Sequence, residues 1–249
     1  MGWERPFFTP GGGVALLHYV IPGARAQRLA VSRSRHRIEA VPAQLSAVTA
    51  SRDASGLAGL LRDRVFSAGL TEALGPGVRS VLETDVATVV QGEFPDPSSL
   101  GYLRDTLGVV AALLDAGGLA VLDPQTLRWW SPKDFMHMVQ ARDDVDPFDH
   151  VTILSSESEG GTWLHTRGLR KFGRPDLSAP SVEPSWAAAA TEMLERLVAG
   201  QVRGHRISEG EPIRMNGIPE GLVCRHGGSM DDPDFNNLHV RIDRRGTEE

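Results

Sequence analysis

Cysteine is almost absent: Cys224 is the only one in 249 residues. That excludes an internal disulfide framework and any zinc site built on four cysteines. Lysine is nearly as scarce. Of 26 basic residues only Lys133 and Lys171 are not arginine, a bias that reads as the codon usage of a GC-rich bacterial genome rather than as a functional signal. Acidic residues number 32, so the formal net charge is −6. Coating nucleic acid without sequence preference needs a basic face, and that role is disfavoured here. No apolar run approaches the ~20 residues of a membrane span. The run at 14–21 contains His18 and Tyr19 and is stopped by Pro22. The first residues show no long apolar segment, and Pro6 stands where a myristoylated chain carries Ser or Thr. A soluble, cytoplasmic protein with no membrane partner is expected. Also missing are the Gly-x-Ser-x-Gly elbow, the His-Glu-x-x-His pair and the Gly-x-x-x-x-Gly-Lys loop. Their absence removes the commonest hydrolases and nucleotide enzymes and leaves other enzymes open.

With 41% hydrophobic and 23% charged residues the composition is globular. The bounded apolar run at 14–21 predicts a buried strand. Strand pieces are expected at 28–34 or 37–41. Leu57, Leu60, Leu61, Val65 and Leu70 predict one long helix near 56–74, ended by Gly75-Pro76-Gly77. The β-branched stretch 78–94 predicts one or two strands. Leu100, Leu103, Leu107, Val110 and Leu114 form the stripe of a second helix near 98–116, capped by Ser98 or Ser99. A short strand at 119–122, a short helix at 133–140 and an acidic connector at 141–149 follow. Residues 150–155 and 162–166 predict a hairpin, and Pro184-Ser185 caps a third long helix near 185–199. At the end, Leu238, Val240 and Ile242 alternate with His239, Arg241 and Asp243, the pattern of a half-solvated strand. Interspersed helices and hairpins imply an α+β fold with a mainly antiparallel sheet and about three long helices packed on one face. Residues 1–249 are expected to form one such domain, with two subdomains divided near 141–149 as the alternative.

Two segments carry chemistry. In 163–176, Arg167, Arg170, Lys171 and Arg174 follow a predicted strand, and Gly168 and Gly173 permit tight turns. Guanidinium forks and backbone N–H groups can converge there on a phosphate or carboxylate. The competing reading is a structural corner in which Asp176 caps, Phe172 packs inward and the cations are solvated or paired. In 223–239 stand His226, His239, Asp231, Asp232, Asp234 and Asn237. His226 and His239 can face each other across a hairpin and, with Asp232, hold a divalent metal. Asn and Asp also hold turns by bonding their own backbone, which is the alternative. No other cofactor is expected. His165, His226 and His239 are the candidate acid–base groups, and Asn237 joins the four cations as a candidate ligand-binding residue. Cys224, in the apolar run Leu222-Val-Cys, reads as an inert buried thiol. Of the adjacent Trp129 and Trp130, one is expected to enter the core.

Three stretches, Gly118-Leu-Ala-Val-Leu-Asp-Pro-Gln-Thr, Thr166-Arg-Gly-Leu-Arg-Lys-Phe-Gly-Arg-Pro-Asp-Leu and Asp231-Asp-Pro-Asp-Phe-Asn-Asn-Leu-His-Val, resemble a broad group of bacterial domains of unknown function. Such domains pair a Gly-Leu/Met-x-x-Phe-Gly-x-Pro-Asp/Glu segment with an acidic C-terminal strand. The resemblance implies an α+β fold and no particular activity; some such domains serve in toxin–immunity or other conflict systems. Two functions follow as expectations. One is a non-catalytic binding or accessory protein, immunity-like, whose acidic surface, including Asp143-Asp-Val-Asp146, recognises a basic protein partner. The other is an enzyme, or a protein binding a small anion or metal, with its site between the 167–174 corner and the 226–239 hairpin.

Overall fold

A computed structural model describes residues 3–27, 29–141 and 143–245. The chain forms two compact units. Unit 1 comprises Met1–Glu4 and Leu16–Val145, and unit 2 comprises Arg5–Ala15 and Asp146–Glu249. The predicted single sheet is therefore two five-stranded sheets, one belonging to each unit, and the fold is α+β with mostly antiparallel pairing. Among the described residues four helices exceed nine residues. No helix among the described residues is long and apolar enough to cross a membrane.

Unit 1 runs β1 (Val14–Pro22, whose first two residues belong to unit 2), α1 (Arg33–His36), β2 (Leu45–Ser51), α2 (Leu57–Arg62), α3 (Arg64–Leu74), α4 (Val78–Glu83), β3 (Val86–Pro95), α5 (Gly101–Asp115), β4 (Val121–Asp123), β5 (Arg128–Trp130) and α6 (Pro132–Ala141). Its sheet order is β2-β3-β1-β4-β5. The expected helix at 56–74 is broken at Asp63, whose backbone is extended (φ −70°, ψ 132°). Asp63 ends α2 and caps α3, its Oδ1 accepting from Val65 N at 2.8 Å. The β-branched start of 78–94 is helical up to Glu83, because Val81 turns into the core beside Leu57 and Leu70. Burial overrides strand propensity here. The strand expected at 28–34 or 37–41 lies at 45–51 instead; Arg28 is outside the described residues. Both tryptophans of β5 are buried. Trp129 Nε1 donates to Phe66 O, and the Arg128 guanidinium lies 3.7 Å over the Trp130 ring.

The predicted stripe of α5 understates its burial, since every residue from Asp105 to Leu114 is buried. Neither Ser98 nor Ser99 caps it. Ser99 bridges to Glu4, and Leu100 N donates to Trp3 O at 2.7 Å, so an incoming strand-like segment replaces the hydroxyl cap.

Unit 2 runs β6 (Thr152–Ser158), β7 (Gly161–Arg167), β8 (Asp176–Val182), α7 (Ala187–Val202), β9 (Leu222–Gly227) and β10 (His239–Arg244). Its order is β6-β7-β8-β10-β9. Among the described residues only β8 and β10 pair in parallel; the other pairs are antiparallel. Pro184-Ser185 is not the cap of α7, whose N-cap residue Trp186 makes no side-chain cap. Val240 and Ile242 are buried as the alternation predicts. Leu238, by contrast, is 49% exposed; it precedes β10, and its carbonyl accepts from Asp176 N.

Candidate functional site

The 167–174 corner follows β7 as a single 3-10 turn over Leu169–Phe172, entered through Gly168 and left through Gly173, both left-handed. Gly173 is required there: φ is +62°, and a Cβ would collide with the carbonyl oxygen of Gly13. Three of the four cations in and around this turn are buried. Lys171 is fully buried and its Nζ donates to His150 O at 2.8 Å. Arg174 is 2% exposed; its guanidinium donates to the carbonyls of His205 (3.1 Å), Gly173 (3.0 Å), Gly204 (3.0 Å) and Thr9 (3.3 Å). Arg167 donates to the carbonyls of Pro233 and Asp234, and Arg170 Nη1 to Asn236 O at 2.7 Å. The predicted anion corner is thus corrected in its geometry. The four cations do not converge on one concavity, because backbone carbonyls of their own unit hold them.

At the centre is Asp176, wholly buried at the start of β8. Its carboxylate accepts from Thr166 Oγ1 (2.9 Å), Leu169 N (3.2 Å) and Asn237 Nδ2 (2.8 Å). Burial pushes its pKa up to about 6, against the pull of those donors and of the Arg167 charge. Burial likewise lowers the pKa of Arg167. Asn237 also donates to Arg174 O at 2.9 Å. The corner and the loop before β10 therefore meet, clasped through Asp176, Asn237 and the arginine–carbonyl bonds.

An aromatic stack covers the clasp. Trp163 and His165 stack with centroids 4.0 Å apart, Phe235 meets His165 edge-on at 5.6 Å, and His239 lies 4.4 Å from Phe235. Burial lowers the pKa of both histidines, with Arg167 adding to the effect at His165. Neither Nδ1 has a hydrogen-bond partner among the described residues; His239 Nδ1 stands 3.8 Å from Asp232 Oδ2. His239 thus holds Phe235 and its loop by ring packing rather than by a hydrogen bond.

His226 is elsewhere. The β9–β10 register opposes His226 to Val240 and His239 to Gly227. Opposed residues share a face and successive residues alternate, so the two imidazoles project to opposite faces. The expected His226–Asp232–His239 metal set is overturned by this one-residue offset. Among the described residues no three His, Cys, Asp or Glu side chains are grouped to hold a metal. His226 Nε2 instead pairs with Ile207 O at 2.9 Å. Cys224 is buried, and burial pushes its thiol up to about 12.

Sequence reasoning missed Asp176 as the hub, and Trp163 and Phe235 as the lid. Asp176 was legible only as a cap, and the aromatics carried no motif. It also missed an asymmetry of the two sheet edges. The outer side of β9 is sealed: Cys224 N donates to Glu211 O, Ile213 N to Leu222 O, and His226 N to the Glu209 carboxylate at 2.7 Å. On β6, no backbone bond from outside the β6–β7 ladder is made among the described residues. Compared with protein-family models, curated proteins and solved structures, the chain finds no match in any of the three.

Proposed function

We propose that the chain is a non-catalytic binding protein, an accessory or immunity-like factor, that takes an extended segment of a protein partner onto the edge of β6. The open edge of β6, against the sealed edge of β9, is the observation that carries this reading. An exposed edge is a template for strand addition, and proteins that avoid it place Lys, Pro or a cover there. β6 has none of these: its sequence is Thr-Ile-Leu-Ser-Ser-Glu-Ser, exposed from Ser155 onward. Glu157, Glu159 and the preceding Asp149 give this edge negative charge, which selects a basic segment and speeds its encounter. The buried cations and the inert thiol support the same reading.

A synthetic octapeptide of alternating Arg and Val should bind and slow amide hydrogen exchange at 152–158. Its Glu/Val counterpart should bind at least roughly tenfold more weakly, and Ser155→Pro should abolish the protection. Unchanged exchange at β6 with bound peptide would refute the reading.

One observation favours a small-anion reading. The corner and the hairpin do meet, and Arg174, Arg206 and His226 line a cavity of about 170 Å³ beside Gly11, Gly12 and Gly13. If it binds an anion, sulfate should raise the melting temperature more for the wild-type chain than for Arg206→Ala. Equal gains mean salt exclusion alone.

A further inference from the structure

Unit 1 contains a cleft of about 520 Å³, within the range of small-molecule sites, ~300–1,000 Å³. Its floor is apolar: Trp3, Ile38, Leu107 and Val139 are all buried. Its rim is charged, with Arg33, Arg37 and Arg104 against Glu39 and Asp143. Two of the arginines are engaged. Arg37 pairs with Asp143 and donates to Gln140 O at 3.0 Å, and Arg104 pairs with Glu39 at 2.8 Å and with Asp105. The Arg33 side chain makes no hydrogen bond or ion pair among the described residues. Three arginines thus stand against three carboxylates, Glu39, Asp105 and Asp143, and Arg33 is the one arginine of the rim that none of them engages.

The rim is also fixed in place. The segment 32–40 is strapped along α5 at three points on one helical face, at Asp105, Gly108 and Asp115. Asp105 accepts from the backbone N–H groups of Glu39 (3.1 Å) and Ala40 (3.4 Å). At Gly108 the backbones touch so closely that a Cβ would lie 2.6 Å from His36 O. Asp115 pairs with Arg35 and with the buried His36, whose Nε2 is 2.9 Å away; the Arg35 bond, ahead of the His36 bond, lowers its pKa to about 2. Between these straps Arg37 is held left-handed at φ +51°, a conformation a non-glycine residue keeps only when its surroundings fix it. An apolar floor, a preorganised rim and one arginine not engaged by a carboxylate fit one class of ligand.

We infer that this cleft binds a small monoanion with a flat apolar body, its carboxylate on Arg33 and its body over Trp3, Ile38 and Leu107. This goes beyond the proposed strand addition, which concerns unit 2, and does not depend on it. The probe is 2-naphthoate, with 2-naphthamide as its uncharged counterpart, followed by calorimetry and by NMR of the tryptophan indole N–H signals. Naphthoate should shift the Trp3 indole signal, assigned with Trp3→Phe, and should bind at least roughly tenfold more tightly than the amide. Arg33 is exposed, so Arg33→Ala should keep the melting temperature, and it should remove that tenfold preference. Arg33→Lys should retain part of it, since ammonium keeps the charge without the fork. Three outcomes would overturn the inference: no shift at Trp3, equal affinity for acid and amide, or an unchanged preference in Arg33→Ala.

Discussion

Asp176→Ala is expected to destabilise the protein by roughly 3–5 kcal/mol, the cost of removing one member of a buried charged network. The change leaves Thr166 Oγ1, Leu169 N and one N–H of Asn237 Nδ2 without their acceptor, and Arg167, 6% exposed, without the buried carboxylate whose charge acts on it. Asp176→Asn should cost less. It keeps the volume and one oxygen acceptor, but opposes its amide nitrogen to that of Asn237, which already donates to Arg174 O. The two variants also separate charge from shape through pH. Asp176 binds its proton more tightly in the fold, at about 6, than at the ordinary 3.8. Its contribution is then fully present below about pH 4 and declines as pH rises through 6, by up to about 3 kcal/mol. Urea melts at pH 4.5 and 7 should show this decline in the wild-type chain and lose it in Asp176→Asn. If the difference between the two pH values is the same in both proteins, burial of an ionisable carboxyl is not its source.

Leu194→Ala should cost roughly 2–5 kcal/mol, and Leu107→Ala a similar amount. Leu194, on α7, is fully buried, and Leu107, on α5, is 2% exposed. Each truncation removes three carbons from a packed interior and leaves a cavity that helix backbones cannot collapse to fill. Since the residues belong to different units, the double variant should lose the sum of the single losses within roughly 0.5 kcal/mol. A loss below ~1 kcal/mol in either single variant would contradict the packing described for that helix.

Periodic elements were legible in the sequence. β1, α5, α6, α7, β10 and the β6–β7 hairpin stand close to where apolar spacing and glycine or proline punctuation put them. β2 was not, because Leu-Ser-Ala-Val-Thr-Ala-Ser is built of small, half-exposed residues with little contrast between its faces. β8 contains Pro180, which argues against an inner strand, yet it lies between β7 and β10. The number of sheets was illegible, because alternation reports which side of a strand is buried and not which strands pair. At the site, the residue types were visible but their targets were not. Arg167, Arg170, Lys171 and Arg174 bind backbone carbonyls, which every residue has and no sequence advertises. The two histidines depended on register, where a shift of one residue reverses the face. The cleft of unit 1 draws on residues 3, 33, 34, 37–39, 104, 107, 139 and 143, too scattered to form a motif.

The order in which the units take their residues from the chain bears on synthesis at the ribosome. Nearly all of unit 1 is the continuous stretch Leu16–Val145, while unit 2 combines Arg5–Ala15 with everything after Val145. Nascent unit 1 can collapse as soon as that stretch emerges, but residues 5–15 must wait. Gly13 N bonds to Gly173 O, Arg5 to Phe172 O, and Thr9 O accepts from Arg174. The sheet of unit 2 waits longer still, because β10 lies between β8 and β9. At roughly 5–20 residues per second, the eleven early residues stay unpartnered for on the order of ten seconds. Three consecutive glycines, Gly11, Gly12 and Gly13, suit that delay: with no side chains to bury, they offer little for premature association while unit 1 folds beside them.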